Sequence, residues 1–378
     1  MRILFIARYR DPSMHRKVQW MAQQPGVTIR AIYPNLWQDE LVRVEQRAAD
    51  EVGLERRVLP MFGSPADPHR AFYRSLAFGM AGFRPQIVHA EEEPDSLAAL
   101  QIALCRRLWA PQARLLLHTW QNLDRPLSRP VRWVLARTLS AADGIFCANR
   151  EAVDLLRRRG YSRSTPLIPA IGVDTELFTP RQPKRSGPFV VGYVGRLVAE
   201  KGIDTLIDAV RLVSTGSTGA REKLPRPLRL RIIGAGPYES HLRHRMDEAD
   251  LTGTVEFLPP VSPSQIARQM AKLDALVLPS RTTPVWKEQL GRVLLEAMAV
   301  GVPVIGADSG AIPEVIGDAG LIFPEGEASA LAERLRRLLS DPLLTADLTR
   351  RGLERAEQEY SQRVLAARTV DFYRQVVQ

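Results

Sequence analysis

Short apolar runs alternate with stretches of helical period along most of the chain. In the first half, Ile3–Ala7, Thr28–Tyr33, Ile87–His89, Leu115–His118, Gly144–Ala148 and Pro166–Ile168 read as buried strands. Helical patterns such as Ser96–Leu108 and Val131–Ala141 fall between them. After the Pro/Lys/Arg-rich segment Thr179–Pro188, which has no period and reads as a linker, the alternation restarts. Phe189–Tyr193, Leu228–Ile233, Val255–Phe257, Ala275–Leu278 and Val304–Ala307 are the expected strands. Ile203–Val213, Tyr238–Ala249, Ser262–Lys272 and Gly291–Ala299 are the expected helices. Residues 214–227, polar and rich in Gly, Ser and Pro, read as a surface loop.

Strand–helix alternation of this length predicts an α/β protein built on doubly wound parallel sheets covered on both faces. The 378 residues call for two such domains. Their expected extents are 1–180 and 181–361, with a last helix from about Gln362 crossing back to the first. In sheets of this kind ligands bind beyond the carboxyl ends of the strands.

The net charge is +10, and residues 1–176 hold 25 Lys/Arg against 18 Asp/Glu. Such a field attracts nucleic acid, an anionic membrane surface or phosphorylated small molecules without choosing among them. RNA-recognition aromatics, zinc spacings and a concentrated basic helix are all missing, so nucleic acid is not the expected partner. Cys105 and Cys147 fit no metal spacing and no disulfide framework. Without a secretory signal or a long apolar span, the expectation is a cytoplasmic protein, with peripheral contact at the inner membrane face compatible with its charge.

Three strand ends in the second half carry candidate chemistry. Gly195-Arg196 through Lys201-Gly202 joins a strand to a helix, where free amides, a guanidinium and an ammonium suit a diphosphate. Gly234-Ala235-Gly236-Pro237 is a second such junction; Glu239 stands where a dinucleotide fingerprint needs glycine, which argues against a nicotinamide oxidoreductase. The third runs from Pro279 to Ala299. There Gly291 permits a turn into a helix whose first amides, Val293, Leu294 and Leu295, face outward as phosphate donors. Glu296, one turn in, suits the vicinal diol of a ribose, and Glu288 on the preceding loop suits hydroxyls of a transferred sugar.

The Glu-x7-Glu spacing of Glu288 and Glu296, followed by Glu-Ala-Met-Ala-x-Gly-Val-Pro-Val, resembles the signature of glycosyltransferase family 4. Gly195-Arg196…Glu200-Lys201-Gly202, Gly172-Val173-Asp174…Phe178, Ser309-Gly310…Pro313-Glu314 and Gly320-Leu321 are similar to further elements of that family, in order, from about Ile168 to Pro324. The resemblance implies a GT-B fold of two Rossmann-like domains facing a cleft, and a retaining, metal-independent transfer that needs no cofactor. The donor would be a UDP-, GDP- or ADP-linked sugar, and the acceptor a glycan, lipid-linked or small-molecule hydroxyl. Arg196 and Lys201 would stabilise the departing diphosphate, Glu296 would hold ribose, Glu288 would read the sugar, and Gly236, Pro237 and Leu258 would flank the base. Leu290 and Pro259 depart from the family's usual aromatic residue and glycine.

The first half departs more. Arg8-Tyr9-Arg10-Asp11 replaces the family's glycine-rich loop after the first strand, placing Arg8 and Arg10 as cations for a phosphorylated or lipid-linked acceptor. His118, at the carboxyl end of its strand, is placed to orient donor sugar or acceptor hydroxyl. Glu92 and Glu93, in the run Glu91–Glu93, are acceptor-binding candidates, with helix N-terminal charge as the plainer alternative. The rival readings are another GT-B enzyme such as a nucleotide-sugar epimerase, and a basic nucleic-acid-binding protein.

Overall fold

The computed structural model describes residues 1–9, 12–38, 43–64, 67, 69–80, 82–182, 187–215 and 224–378. Most of the 214–227 insertion, and Arg10, therefore lie outside the described residues. The chain forms two compact units: Met1–Gly172 with Gln362–Gln378, and Val173–Ser361.

The first unit is built on a seven-stranded sheet of β1 (Arg2–Ala7), β2 (Thr28–Pro34), β3 (Ala49–Glu51), β4 (Leu54–Leu59), β5 (Ile87–Glu91), β6 (Arg114–Thr119) and β7 (Gly144–Cys147). Its order is β7-β6-β5-β1-β2-β4-β3, parallel throughout except for the β3–β4 hairpin. β1 is central and buried on both faces, which is why it reads as an unbroken apolar run rather than an alternation. β4 has the charged sequence LERRVL and escapes a search for apolar runs; its charges are held by Arg30–Glu55 and Arg57–Asp50 ion pairs of 2.8 and 2.7 Å. Pro166–Ile168, expected as a strand, makes only an isolated bridge from Leu167 to Cys147. Prolines 166 and 169 lack the N–H groups that a ladder needs.

The second unit carries a fully parallel sheet of β8 (Phe189–Val194), β9 (Leu228–Ile233), β10 (Val255–Leu258), β11 (Ala275–Leu278), β12 (Val304–Ala307) and β13 (Gly320–Phe323). Its order is β10-β9-β8-β11-β12-β13, so the direction of winding reverses between β8 and β11. The first sheet reverses in the same way between β1 and β5. A crevice opens at such a reversal, beyond the strands' carboxyl ends.

The helix Gln362–Val377 packs against Arg16–Ala22 of the first unit. It buries Leu365, Val370 and Tyr373 in the cluster that holds Ile3, Phe5 and Phe146. In the other direction, Arg181 anchors its segment to the second unit, its amide donating to the Val300 carbonyl and its guanidinium to Ala271 at 3.2 Å.

Candidate active site

The second unit's reversal point is assembled by loops that hold one another through their backbones. Gly195 donates to Ile233, Leu197 to Ala235, Tyr238 to Leu197 and Gly234 to Leu258, which locks together the turns after β8, β9 and β10. Gly236 lies so close to Leu197 that any Cβ would collide with the Leu197 carbonyl. Arg281 donates to the Glu200 carbonyl at 2.8 Å, and Ala311 to the Glu288 carbonyl at 3.0 Å, tying in the turns after β11 and β12. Gly202, left-handed at φ 61°, ends the Ala199–Lys201 turn against the Pro279 carbonyl, where a side chain has no room.

This frame positions the predicted residues. Lys201 Nζ donates to Glu288 Oε2 at 2.6 Å and lies 4.5 Å from the centre of the Trp286 ring. Ser280 Oγ donates to the same carboxylate oxygen at 3.1 Å. Glu288, on the loop before the helix as expected, is a buried and held carboxylate. An unpaired carboxylate at that depth would be costly, and Lys201 across the reversal point supplies the partner charge. Arg196 is different. Its side chain is 60% exposed, and its guanidinium meets Glu200 at 3.8 Å. Tyr193 donates from its hydroxyl to the Arg196 carbonyl at 2.8 Å, and burial drives that phenol's pKa up.

Gly291, at φ 72°, caps the helix Arg292–Ala299. The Leu294 amide donates to the Gly291 carbonyl at 2.8 Å, so one of the three amides expected to be free is already engaged. Leu294 and Leu295 send their side chains into the core, and Val293 is half-buried. Glu296 is paired with Arg292 at 2.9 Å one turn back. A ligand diol at Glu296 would share its carboxylate with that guanidinium.

In the first unit, the carboxyl ends of β1 and β5 hold a network of charges. Arg8 grips Glu92 with both Nε, at 2.7 Å, and a second guanidinium nitrogen, and also donates to the Asp67 carbonyl. Both side chains are largely withdrawn from solvent. Arg8 and Glu92 were expected to offer themselves to an acceptor; they satisfy each other instead. Glu93 accepts from Thr119 Oγ1 and from the Trp120 amide, each at 2.7 Å. Its burial pushes the carboxyl up to about 7 against those two bonds. The helix after it is capped by Ser96, whose Oγ accepts from Ala99.

His118 is fully buried beside Trp120, with ring centroids 5.1 Å apart. Burial, and then the charge of Lys17, depress its pKa to about 3, so the ring is neutral. Neither ring nitrogen reaches hydrogen-bond geometry with a described residue, although the Ile168 backbone is near enough to favour the charged form.

Several neighbours carry no local sequence signal. Glu91 accepts from the Tyr9 hydroxyl and pairs with buried Lys17 at 3.6 Å, while His89 Nδ1 meets the Tyr373 hydroxyl. Each links positions far apart in the chain, and no local spacing could announce them. Trp286 and Ser280, by contrast, lie inside the segment already singled out, and their closeness to Glu288 was the available signal.

Two Rossmann-like units with these sheet orders define the GT-B class of fold. Sucrose-phosphate synthase from Thermosynechococcus elongatus superposes with a TM-score of 0.69 at 19% identity, covering 100% of this chain and 99% of that one. Anabaena Alr3699/HepE in complex with UDP superposes with a TM-score of 0.72 at 19% identity, covering 99% of this chain and 100% of that chain. Residues 174–355, just under half of the chain, match the family described as Glycosyl transferases group 1. The putative colanic acid biosynthesis glycosyltransferase WcaL of Escherichia coli K12 is 32% identical over 218 residues, 56% of this chain and 51% of that protein. A GDP-mannose-dependent monoacylated alpha-(1-6)-phosphatidylinositol monomannoside mannosyltransferase of Corynebacterium glutamicum is 33% identical over 211 residues, 52% of this chain and 53% of that protein. The chain spans about half the length of the curated relatives it matches.

Proposed function

We propose that the protein is a retaining, metal-independent glycosyltransferase of family 4, moving a sugar from a nucleotide-diphosphate donor to a sugar or lipid-linked hydroxyl. One observation carries the reading: Lys201 and Glu288 meet across the reversal point of the second sheet, beside exposed Arg196, on loops locked by backbone bonds. Transfer builds negative charge on the leaving diphosphate and positive charge on the sugar. Fixed cations aimed at the diphosphate lower that barrier because they need not reorganise during the reaction. Arg196 offers a bidentate fork and Lys201 a point charge. Glu288 holds Lys201 in place and presents its remaining acceptor capacity to sugar hydroxyls. Glu296 takes the ribose diol, Gly195, Gly291, Val293 and Leu295 line the phosphates, and Gly236, Pro237 and Leu258 flank the base.

On this reading the attacking hydroxyl approaches the face from which the diphosphate departs, and a phosphate oxygen takes its proton. Neutral His118, buried and with unfilled nitrogens, serves as a hydrogen-bonding group for sugar or acceptor rather than as a cation. Arg8, Glu92 and Glu93 shape the acceptor region through their own network. The domain extents follow the same division, with the first unit for acceptor and the second for donor, and cytoplasmic nucleotide sugars as supply. Relatives whose names specify colanic acid and phosphatidylinositol mannosides support a cell-envelope acceptor.

The experiment is to incubate the protein with UDP-, GDP- and ADP-sugars and candidate acceptors, and to measure nucleoside diphosphate release. Release that requires acceptor is expected of a transferase and not of an epimerase. Arg196→Ala combined with Lys201→Ala should nearly abolish turnover; retained activity would overturn the assignment.

A further inference from the structure

The helices Leu97–Trp109 and Arg129–Ala141 follow β5 and β6 and pack side by side on one core of the first unit. Ala98, Ile102 and Cys105 point into that core from the first helix, and Leu139 packs against it from the second. On the opposite side, Leu104, Leu108 and Trp133 are each more than half exposed, as is Trp109 at the C-terminal end of the first helix. They are four of the nine large apolar side chains exposed among the described residues, so exposure is concentrated here rather than scattered. Leu104, Arg107 and Leu108 share one helix face, and Arg129, Arg132, Trp133 and Arg137 share the other.

Charge selects the occupant. Neither helix contains an Asp or Glu. Arg107, Arg129, Arg132 and Arg137 have no carboxylate partner among the described residues, and Arg137 lies 5.5 Å from the Trp133 ring centre. A purely solvated helix face would mix both signs of charge and hold few tryptophans. A cavity of about 680 Å³ at the end of the first helix, lined by Arg84, Arg106, Trp109 and Arg114, extends the basic surface, with Asp143 its one acidic side chain.

We propose that this face seats the protein on an anionic lipid bilayer. Leucine and tryptophan enter the boundary between headgroups and acyl chains, while the arginines meet lipid phosphates. No described helix is long and apolar enough to cross a membrane, so the contact is peripheral. The inference does not depend on the reaction proposed above.

The test is co-sedimentation of the full chain with phosphatidylcholine vesicles, with and without phosphatidylglycerol, over a range of salt. Binding should require phosphatidylglycerol and weaken with salt. Changing Arg107, Arg129, Arg132 and Arg137 to Gln should weaken binding by about fivefold for each residue. Leu104→Ser with Leu108→Ser and Trp133→Ser should remove most of the remainder. Leu343→Ser, an exposed apolar position in the second unit, should bind as wild type. Circular dichroism checks that each variant is folded. Equal binding to both vesicle types, or unaltered binding by the arginine variant, would overturn the proposal. So would self-association without vesicle binding. The wild-type vesicle comparison decides even if a variant fails to fold.

Discussion

Lys201 Nζ lies 2.6 Å from Glu288 Oε2, although 87 positions separate the two residues in the chain. One stands after β8 and the other on the loop after β11, so the pair bridges the strands between which the second sheet reverses. Removing the cation should expose how much the loop depends on it. Lys201→Met leaves Glu288 buried without its cation, although Ser280 still donates to it. Urea unfolding should show a loss of about 1–3 kcal/mol. Lys201→Arg should recover stability better than it recovers turnover, because a planar fork cannot reproduce a point charge. Equal stability of Lys201→Met and wild type would contradict the pairing.

Glu296 should recognise a diol. Glu296→Gln is expected to weaken nucleoside diphosphate binding by about ten- to a hundredfold, the range for losing a charged hydrogen-bond acceptor. Calorimetry with 2′,3′-dideoxy nucleotides provides the control, since wild type and variant should bind those alike. If the variant loses both ligands equally, the carboxylate acts on something other than ribose.

Two buried groups in the first unit should pull stability in opposite directions with pH. Glu93 is raised from 4.5 to about 7, chiefly by burial. The stability tied to it is whole below about pH 4.5 and is lost as pH climbs through about 7. His118 is lowered from 6.5 to about 3, again chiefly by burial. Its contribution is present above about pH 6.5 and is lost as pH falls towards 3. Across the overlap the two slopes oppose each other. Urea titrations of wild type and Glu93→Gln should therefore differ by an amount that declines by about 3 kcal/mol as pH rises through this window. The difference between wild type and His118→Asn should rise with pH instead. Parallel curves for all three proteins would refute both assignments.

Gly202→Ala tests the frame rather than the chemistry. A Cβ at φ 61° and against the Pro279 carbonyl forces the turn before it to shift. Thermal unfolding should report a cost of about 1–3 kcal/mol, and nucleotide affinity should fall with it because Lys201 is the preceding residue. Normal affinity in a destabilised protein would show that the turn and the ligand site are uncoupled.

Strands such as β8 and β11 were legible because burial on both faces leaves an unmistakable apolar run, and β9 because its buried apolar residues alternate with Arg229 and Arg231. The edge of the first sheet was not. β4 is charged, and its hairpin partner β3, like the separate hairpin of Leu36–Gln38 with Arg43–Glu45, has no period long enough to register. In the donor region, the residues were legible because they cluster at strand ends in a compact stretch, while their contacts were not. Nothing near Glu288 announces that Lys201 will reach it, and nothing near Glu92 announces Arg8. Local sequence reports which face a residue occupies; the partner comes from the winding of the sheet.

Leu365, Val370 and Tyr373 sit at the heart of the first unit's core, yet they follow the entire second unit in the chain. During synthesis the ribosome therefore delivers the second unit complete while the first still lacks part of its interior. N-terminal domains usually fold first as a chain emerges, yet this first unit cannot complete its core that way. Phe5 and Phe146 are fully covered only once the helix Gln362–Val377 has been made.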